Sequence, residues 1–432
     1  MSISELYSLY LAHPKVCTDT RNITAGCLFF ALKGDNFDAN EFASEALGKG
    51  AAFAVIDDAS YKTSHQFILV EATLNTLQNL AKHHRQQLKI PFIGLTGSNG
   101  KTTTKELINS VLSETFKTSA TKGNLNNHIG VPLSVLEIDN DIQLAIIEMG
   151  ANHQKEIEML SQICQPDFGL ITNIGKAHLE GFGGIEGVKK GKGELYDFLQ
   201  ARDGTVFINE DSSALTEMAS KRSFQKTVTY GTGNISKIKG ELIDNNPCLR
   251  IKWTANNETH EVLSQLTGTY NFENILAAVA IGLEFGLTAT QINKGVSNYA
   301  PKNNRSQITT TSKNTVIGDY YNANPSSMVL AIENISKLKA DKKVLILGDM
   351  FEIGETADAE HLSVLQTAIS YNFYQVILIG ETFKKQSPNG NTVFFKTTPE
   401  ATEYLKQNPI SGALVLVKGS RGMKLETLME LL

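Results

Sequence analysis

The segment Gly94-Leu-Thr-Gly-Ser-Asn-Gly-Lys-Thr-Thr103 combines glycines, one lysine and several hydroxyl side chains. Glycines let successive backbone N–H groups turn toward an anion, and a helix beginning at Lys101 adds partial positive charge at the same point. The pattern predicts a phosphate cradle in which Thr96, Gly97, Ser98, Asn99, Gly100, Lys101, Thr102 and Thr103 surround a nucleotide. Lys101 would reach the β- and γ-phosphates, and the Thr102 hydroxyl would coordinate magnesium. The plainer alternative is a glycine-rich turn with a solvated lysine. The short apolar strand Phe92–Leu95 before the loop and the helical pattern from Lys101 to Phe116, with Leu107 and Val111 on its buried stripe, argue against it. One departure matters. The strict P-loop spacing needs glycine at position 95, where this chain has Leu95, which disfavours a switch or motor ATPase.

Glu148 follows the apolar run Leu144–Ile147, so its carboxylate should lie at the carboxyl edge of the sheet that carries the phosphate loop. A carboxylate there can hold a hard cation that bridges nucleotide phosphates. His178 follows the run Phe168–Thr172; a histidine so placed is more often packed than a ligand, but beside Glu148 and the loop the two readings balance. Lys192, in Lys189-Lys-Gly-Lys-Gly-Glu194, reads by itself as part of a basic surface helix. Asn124, Asn126 and Asn127 form either a turn or a substrate-facing loop. Asp19 and Arg21 read as a surface pair.

The elements that must position these residues are alternating strands and helices, which imply parallel sheets with ligands at the carboxyl ends of their strands. A chain of 432 residues is too long for one ordinary core and points to about three domains. Strands are expected at Cys27–Leu32, Phe53–Ile56 and Phe67–Val70, then a helix carrying Leu74, Leu77, Ala81 and Leu88, with a boundary near residue 88. Residues 225–265 differ: Leu249, Ile251 and Trp253 alternate after Asn246-Pro247, suggesting an antiparallel β insert, and a helix from Asn271 to about Phe285 closes the domain. Beyond a second boundary near residue 302, strands Val344–Leu347, Val376–Ile379 and Leu414–Val417 return to α/β texture. The domains expected are therefore 1–88, 89–301 and 302–432. A net charge of −5 disfavours nucleic acid as partner, and no apolar run approaches the roughly eighteen residues of a membrane span. The four cysteines, Cys17, Cys27, Cys164 and Cys248, form no CxxC pair and no signal peptide is visible, so a cytoplasmic protein with reduced thiols is expected.

Taken together these segments resemble the Mur ligases, ATP-dependent amide-forming enzymes of peptidoglycan precursor synthesis, over essentially the whole chain. The shared motifs are Thr96 to Lys105, Asn124-Leu-Asn-Asn-His-Ile-Gly-Val-Pro132, Glu148-Met-Gly and Asn173-Ile-Gly-Lys-Ala-His178. Asp319-Tyr-Tyr-Asn-Ala-Asn-Pro-Ser-Ser-Met328, Gly348-Asp-Met-Phe-Glu-Ile-Gly354 and Lys418-Gly-Ser-Arg-Gly-Met423 point to the MurF branch. The resemblance implies three α/β domains: a small one for a UDP-sugar, a central parallel-sheet ATPase-type domain with the β insert, and a Rossmann-like C-terminal domain for the amino substrate. It implies UDP-N-acetylmuramoyl-tripeptide and D-alanyl-D-alanine as substrates, ATP with two magnesium ions, and a monomer. Lys101, Lys192 and His178 would be catalytic. Glu148, His178 and Thr102 would be magnesium ligands, joined by a carbamoylated Lys192. Asn271 and Asn274 lie in a segment resembling the family's adenine contact, and Arg305 and Asp319 match ATP-contacting residues, although Asn304 stands where the family usually has glycine. Thr18, Asp19, Thr20, Arg21 and Lys33 match the nucleotide-sugar segment. Asn124, Asn126, Asn127, Asn322, Asn324 and Ser326 are candidates for substrate contact, with Lys418 and Arg421 weaker candidates beside them. The rival within the same chemistry is a ligase of the folylpolyglutamate synthase type.

Overall fold

Side chains alternate across a strand, and along Phe92–Thr96 both faces are apolar: Phe92 joins one hydrophobic cluster while Ile93 and Leu95 join another. A strand buried on both faces belongs in the middle of a covered parallel sheet. The computed structural model, which describes residues 1–176, 178–385 and 391–432, places it there. Phe92–Thr96 lies between Phe168–Ile171 and Leu144–Glu148, all parallel, with Thr118–Ala120 at the edge. On the other side follow Thr205–Asn209, Lys226–Gly231 and Ile238–Asn245, still parallel, and then the antiparallel pair Leu249–Ala255 and Glu258–Leu263. The expected β insert is thus no separate unit but the far end of this nine-stranded sheet. Its alternation explains why: Leu249, Ile251 and Trp253 are buried in the same cluster as helix Asn271–Glu284, so their apolar face extends an existing core. Burying each such side chain contributes about 1.5–3 kcal/mol.

Three smaller sheets accompany the central one, one of them only the antiparallel pair Lys33–Gly34 and Phe37–Asp38. Val16–Cys17, Leu28–Phe30, Phe53–Ile56 and Phe67–Leu69 form a parallel sheet near the N-terminus. Helix Thr73–Gln87 belongs to both neighbourhoods: His84 Nε2 meets the Ile138 carbonyl at 2.8 Å, and Arg85 donates to the carbonyl of Cys164 and the carboxylate of Asp167, each at 2.9 Å. Toward the C-terminus, five parallel strands and the antiparallel edge strand Gln307–Thr310 form a six-stranded sheet. Its strand Thr315–Asp319, not anticipated from the sequence, pairs Asp319 with Lys418 in register. The helix after the phosphate loop spans Lys101–Leu112, with tight turns in place of the expected last turn to Phe116.

Candidate active site

The phosphate loop is shaped by the strand beside it. Ser98 N–H donates to the Asn173 carbonyl at 3.0 Å and Asn99 N–H to the Asn173 side-chain oxygen at 2.9 Å. Thr172 returns a hydrogen bond from its hydroxyl to the Asn99 carbonyl at 2.6 Å. Gly97 adopts φ +146°, and a Cβ there would lie 2.0 Å from the Thr172 hydroxyl. Gly100 caps the helix in the left-handed region, against Asn274. Asn274 accepts from the Thr104 hydroxyl at 2.9 Å and donates to Asn271 at 2.9 Å, so both asparagines lock helix Asn271–Glu284 to the loop. The position of Leu95 is explained: it is the last fully apolar residue of the strand, buried in the core, so the loop proper begins only at Thr96.

Lys101 folds its ammonium back onto the carbonyls of Gly97 at 2.7 Å and Ser98 at 3.3 Å. Burial pushes this ammonium down to about 8, against the pull of Glu148, with Arg305 adding to the depression. Glu148 ends its strand almost fully buried. Its Oε1 accepts from Thr102 at 3.2 Å and Asn126 at 2.8 Å, and its backbone N–H donates to the Thr121 hydroxyl at 3.0 Å. Its Oε2 is buried with no partner. A buried ionised oxygen without a donor is costly. Beside the Thr102 hydroxyl, it suits a hard cation with oxygen ligands.

A cleft of about 780 Å³ opens in front of these groups, large enough for a nucleotide. Ser98 to Thr103, Asn124, Asn126, Asn127, Glu148, His178, Asn271 and Asn274 line it from the central sheet. Arg305, Asp319, Asn322, Asn324, Ser326 and Lys418 line it from the C-terminal side. Contacts cross between the two: Asn324 donates to the Asn99 side chain at 2.7 Å, and Lys176 N–H donates to Ser326 Oγ at 3.2 Å. Lys418 pairs with Asp319 at 2.5 Å, and Arg305 lies over the Tyr321 ring at 3.9 Å with its Nε buried and unpartnered.

Other expected residues lie elsewhere. Thr96 and Gly97 stand behind the cleft, supporting the loop from the strand end. Lys192 is not on a surface helix, as its basic run suggested. It is 1% exposed, donates to the Ala151 carbonyl at 3.2 Å and sits over Phe182 at 5.1 Å. Helix Ile185–Gln200 turns this lysine inward because Val188, Leu195 and Leu199 on the same helix are buried with it. Burial first, and then the charge of Lys101, hold its ammonium well below the usual lysine range. His178 does line the cleft, but its Nδ1 meets Glu352 Oε2 at 2.8 Å, a carboxylate from the C-terminal side. Among the described residues no three of the His, Cys, Asp or Glu side chains converge as a ready metal site. Thr18 and Asp19 follow the strand Val16–Cys17, Thr20 and Arg21 form the 3-10 turn Thr20–Asn22, Lys33 lies in the two-stranded pair Lys33–Gly34 and Phe37–Asp38, and none of them lines this cleft. Asp19 pairs with Arg21 at 2.7 Å, and Lys33 with Asp57 at 2.9 Å. Sequence reasoning gave no role to Thr121, Tyr321 and Glu352; the last two lay inside recognised motifs, whereas Thr121 carried no signal.

A glycine loop on a parallel sheet, a buried carboxylate beside it and a Rossmann-like partner closing the cleft define the class. The chain belongs to the Mur ligase family: residues 95–282 match the Mur ligase middle domain and 304–421 the domain described as Mur ligase, glutamate ligase domain. Its relatives include the UDP-N-acetylmuramoyl-tripeptide–D-alanyl-D-alanine ligase of Bacillus subtilis, 34% identical over 99% of this chain and 97% of that protein. Among solved structures, MurF from Acinetobacter baumannii superposes with a TM-score of 0.86 at 30% identity, covering 96% of this chain and 92% of that one. MurF ligase from Thermotoga maritima in complex with ADP shares the fold, with a TM-score of 0.86 at 23% identity over 98% of this chain and 97% of that one.

Proposed function

We propose that this chain joins D-alanyl-D-alanine to UDP-N-acetylmuramoyl-tripeptide at the expense of ATP. The observation that carries this reading is the convergence, in one cleft, of the phosphate loop, the unpartnered Glu148 carboxylate oxygen and the C-terminal residues Arg305 and Asp319. A peptide carboxylate resists attack by an amine, because it repels nucleophiles and has no adequate leaving group. The tripeptide's terminal carboxylate oxygen therefore attacks the γ-phosphorus, the bond to the β-bridging oxygen breaks, and ADP leaves. The dipeptide amine then attacks the acyl carbon, inorganic phosphate leaves, and the amine's proton passes to solvent. Two anions meet in the first step. Lys101 and the N–H groups of the loop neutralise that charge where it develops. Thr102 and Glu148 would hold magnesium, which supplies further charge neutralisation on the phosphates.

Lys192 fits the carbamoylated ligand expected of it. Carbamoylation needs a neutral amine to combine with carbon dioxide, giving a carbamate and a proton. Deep burial beside Lys101 favours the neutral amine. His178 would leave Glu352 to join the metal. In this reading residues 1–88, with Thr18 to Arg21 and Lys33, hold the nucleotide sugar, 89–301 hold ATP, and 302–432 hold the dipeptide. This reading takes the protein as a cytoplasmic monomer. Among the described residues no helix is long and apolar enough to cross a membrane.

The test is phosphate release from ATP with UDP-N-acetylmuramoyl-tripeptide, with and without D-alanyl-D-alanine. Release that needs both, with ADP and the pentapeptide product appearing together, supports the assignment. Turnover with a folate and glutamate instead would keep the chemistry and overturn the substrates.

A further inference from the structure

Helix Lys101–Leu112 buries a second lysine that the mechanism does not use. Lys105, one turn beyond Lys101, is fully buried. Its ammonium donates to the Thr121 carbonyl at 2.5 Å and pairs with the Glu106 carboxylate at 2.8 Å. The same helix buries Leu107, Ile108 and Val111, and an apolar side chain of similar length would fill the site without taking a charge out of water. The ammonium therefore requires a reason other than packing.

That reason lies in how two strands end. Thr118–Ala120 and Leu144–Glu148 run parallel, and Thr121 N–H donates to the Ile146 carbonyl at 3.0 Å. In a regular parallel ladder the next rung would run from Glu148 N–H to the Thr121 carbonyl. Here Glu148 N–H goes to the Thr121 hydroxyl at 3.0 Å, and Lys105 occupies the carbonyl. The ladder stops at this point and the chain leaves the sheet edge. Five residues later Asn126 returns, donating to Glu148 Oε1 at 2.8 Å and accepting at its carbonyl from Gly150 N–H at 2.7 Å. Asn124, Asn126 and Asn127 thereby line the cleft. Lys105 thus joins the helix that supplies Thr102 to the segment that supplies Thr121 and Asn126, the three residues that hold Glu148.

We infer that Lys105 is a positioning residue for the Glu148 carboxylate. By taking the Thr121 carbonyl it diverts the last rung of the ladder, and so sets where Glu148 and Asn126 meet Thr102. This rests on the ligase reading above only in taking Glu148 and Thr102 as the magnesium site. Without the ammonium, the Thr121 carbonyl is free to accept Glu148 N–H, which restores the ladder and draws residues 122–127 away from the carboxylate.

The test uses the full chain without the tripeptide or dipeptide substrate. ADP binding is followed by titration calorimetry across a magnesium series in wild type, Lys105→Met and Thr121→Val. Both variants are expected to need about 10- to 100-fold more magnesium for half-maximal tightening of ADP, the usual effect of losing a group that orients a metal ligand without touching the metal. ADP affinity in the absence of magnesium should stay at the wild-type level. Hydrogen exchange of residues 122–127 in the metal-free protein should be faster in Lys105→Met than in wild type. A lowered melting temperature with an unmoved magnesium requirement would show that Lys105 only packs, and would overturn the inference. Should Lys105→Met fail to fold, the nearly isosteric Thr121→Val decides by the same magnesium series. Wild-type ADP binding that ignores magnesium would overturn the metal assignment itself, a failure visible before any variant is made.

Discussion

Replacing Gly97 with alanine tests how the phosphate loop is held. The new Cβ would stand 2.0 Å from the Thr172 hydroxyl and 3.0 Å from the Thr172 backbone nitrogen, at φ +146°. Rotating Thr172 away would relieve the first contact but break its 2.6 Å bond to the Asn99 carbonyl, and the backbone contact would persist. A side chain at this backbone conformation costs about 1–3 kcal/mol, the overpacking about 1–3, and the lost hydrogen bond about 1. The sum of about 3–6 kcal/mol is an upper range, since one shift of the loop relieves several of these together. Part of it should appear as lowered thermal stability, at most about 3–7 °C by calorimetry for a chain of 432 residues. Part should appear as a displaced loop, weakening ATP at least about tenfold in titration calorimetry through loss of charge-assisted N–H contacts. Gly175→Ala is the control. Its Cβ would meet the end of the Asn99 side chain at 3.3 Å, the Ser326 hydroxyl at 3.5 Å and the Ser98 Cβ at 3.6 Å, none of them backbone, so both readouts should move far less than in Gly97→Ala. Wild-type ATP affinity and an unchanged melting temperature in Gly97→Ala would refute the packing argument.

Glu148→Gln should remove the dependence of nucleotide binding on magnesium and lower kcat by at least about 100-fold, while stability without metal stays equal or rises because a buried charge has gone; unchanged affinity for magnesium–ATP would count against the metal assignment. Lys101, pushed down to about 8, is charged below that pH and neutral above it in the free protein. ATP affinity should therefore fall as pH rises through 8, by up to about tenfold per unit, and Lys101→Arg should flatten the profile. The linked stability has the opposite sign: between about 8 and the ordinary 10.5 the unfolded chain binds more protons, so Lys101 makes the folded state more stable as pH rises through that window. Lys192→Ala should abolish ligation, with partial rescue by short carboxylic acids that stand in for the carbamate; full activity in the variant would eliminate the carbamoylation proposal.

Much of the central sheet was legible because its signals are local. Phe92–Leu95, Leu144–Ile147 and the helix from Lys101 are read from short apolar runs and glycine punctuation, and the structure places them within one or two residues of expectation, apart from the shortened end of the Lys101 helix. The type of loop, its lysine and its hydroxyls follow from residue chemistry alone, as does Glu148 at a strand end. Strand Thr315–Asp319 escaped notice because its apolar run is short and flanked by polar turns, although it positions Asp319.

What the sequence could not decide is which side chains face each other across long separations, since that depends on how elements pack rather than on their own pattern. Lys192 lies in a run that reads as a charged surface, and only the packing of its helix turns it into the interior. His178 reads as a ligand or as a packed histidine, and its meeting with Glu352 requires two sheets to approach. Asp19 and Arg21 do satisfy one another locally, as their spacing suggested, because two residues of separation are enough for that contact. Arg421 and Tyr321 are separated by most of the C-terminal domain in sequence. Their proximity arises because strands Thr315–Asp319 and Leu414–Lys418 run parallel in register, delivering both following loops to the same end of the sheet.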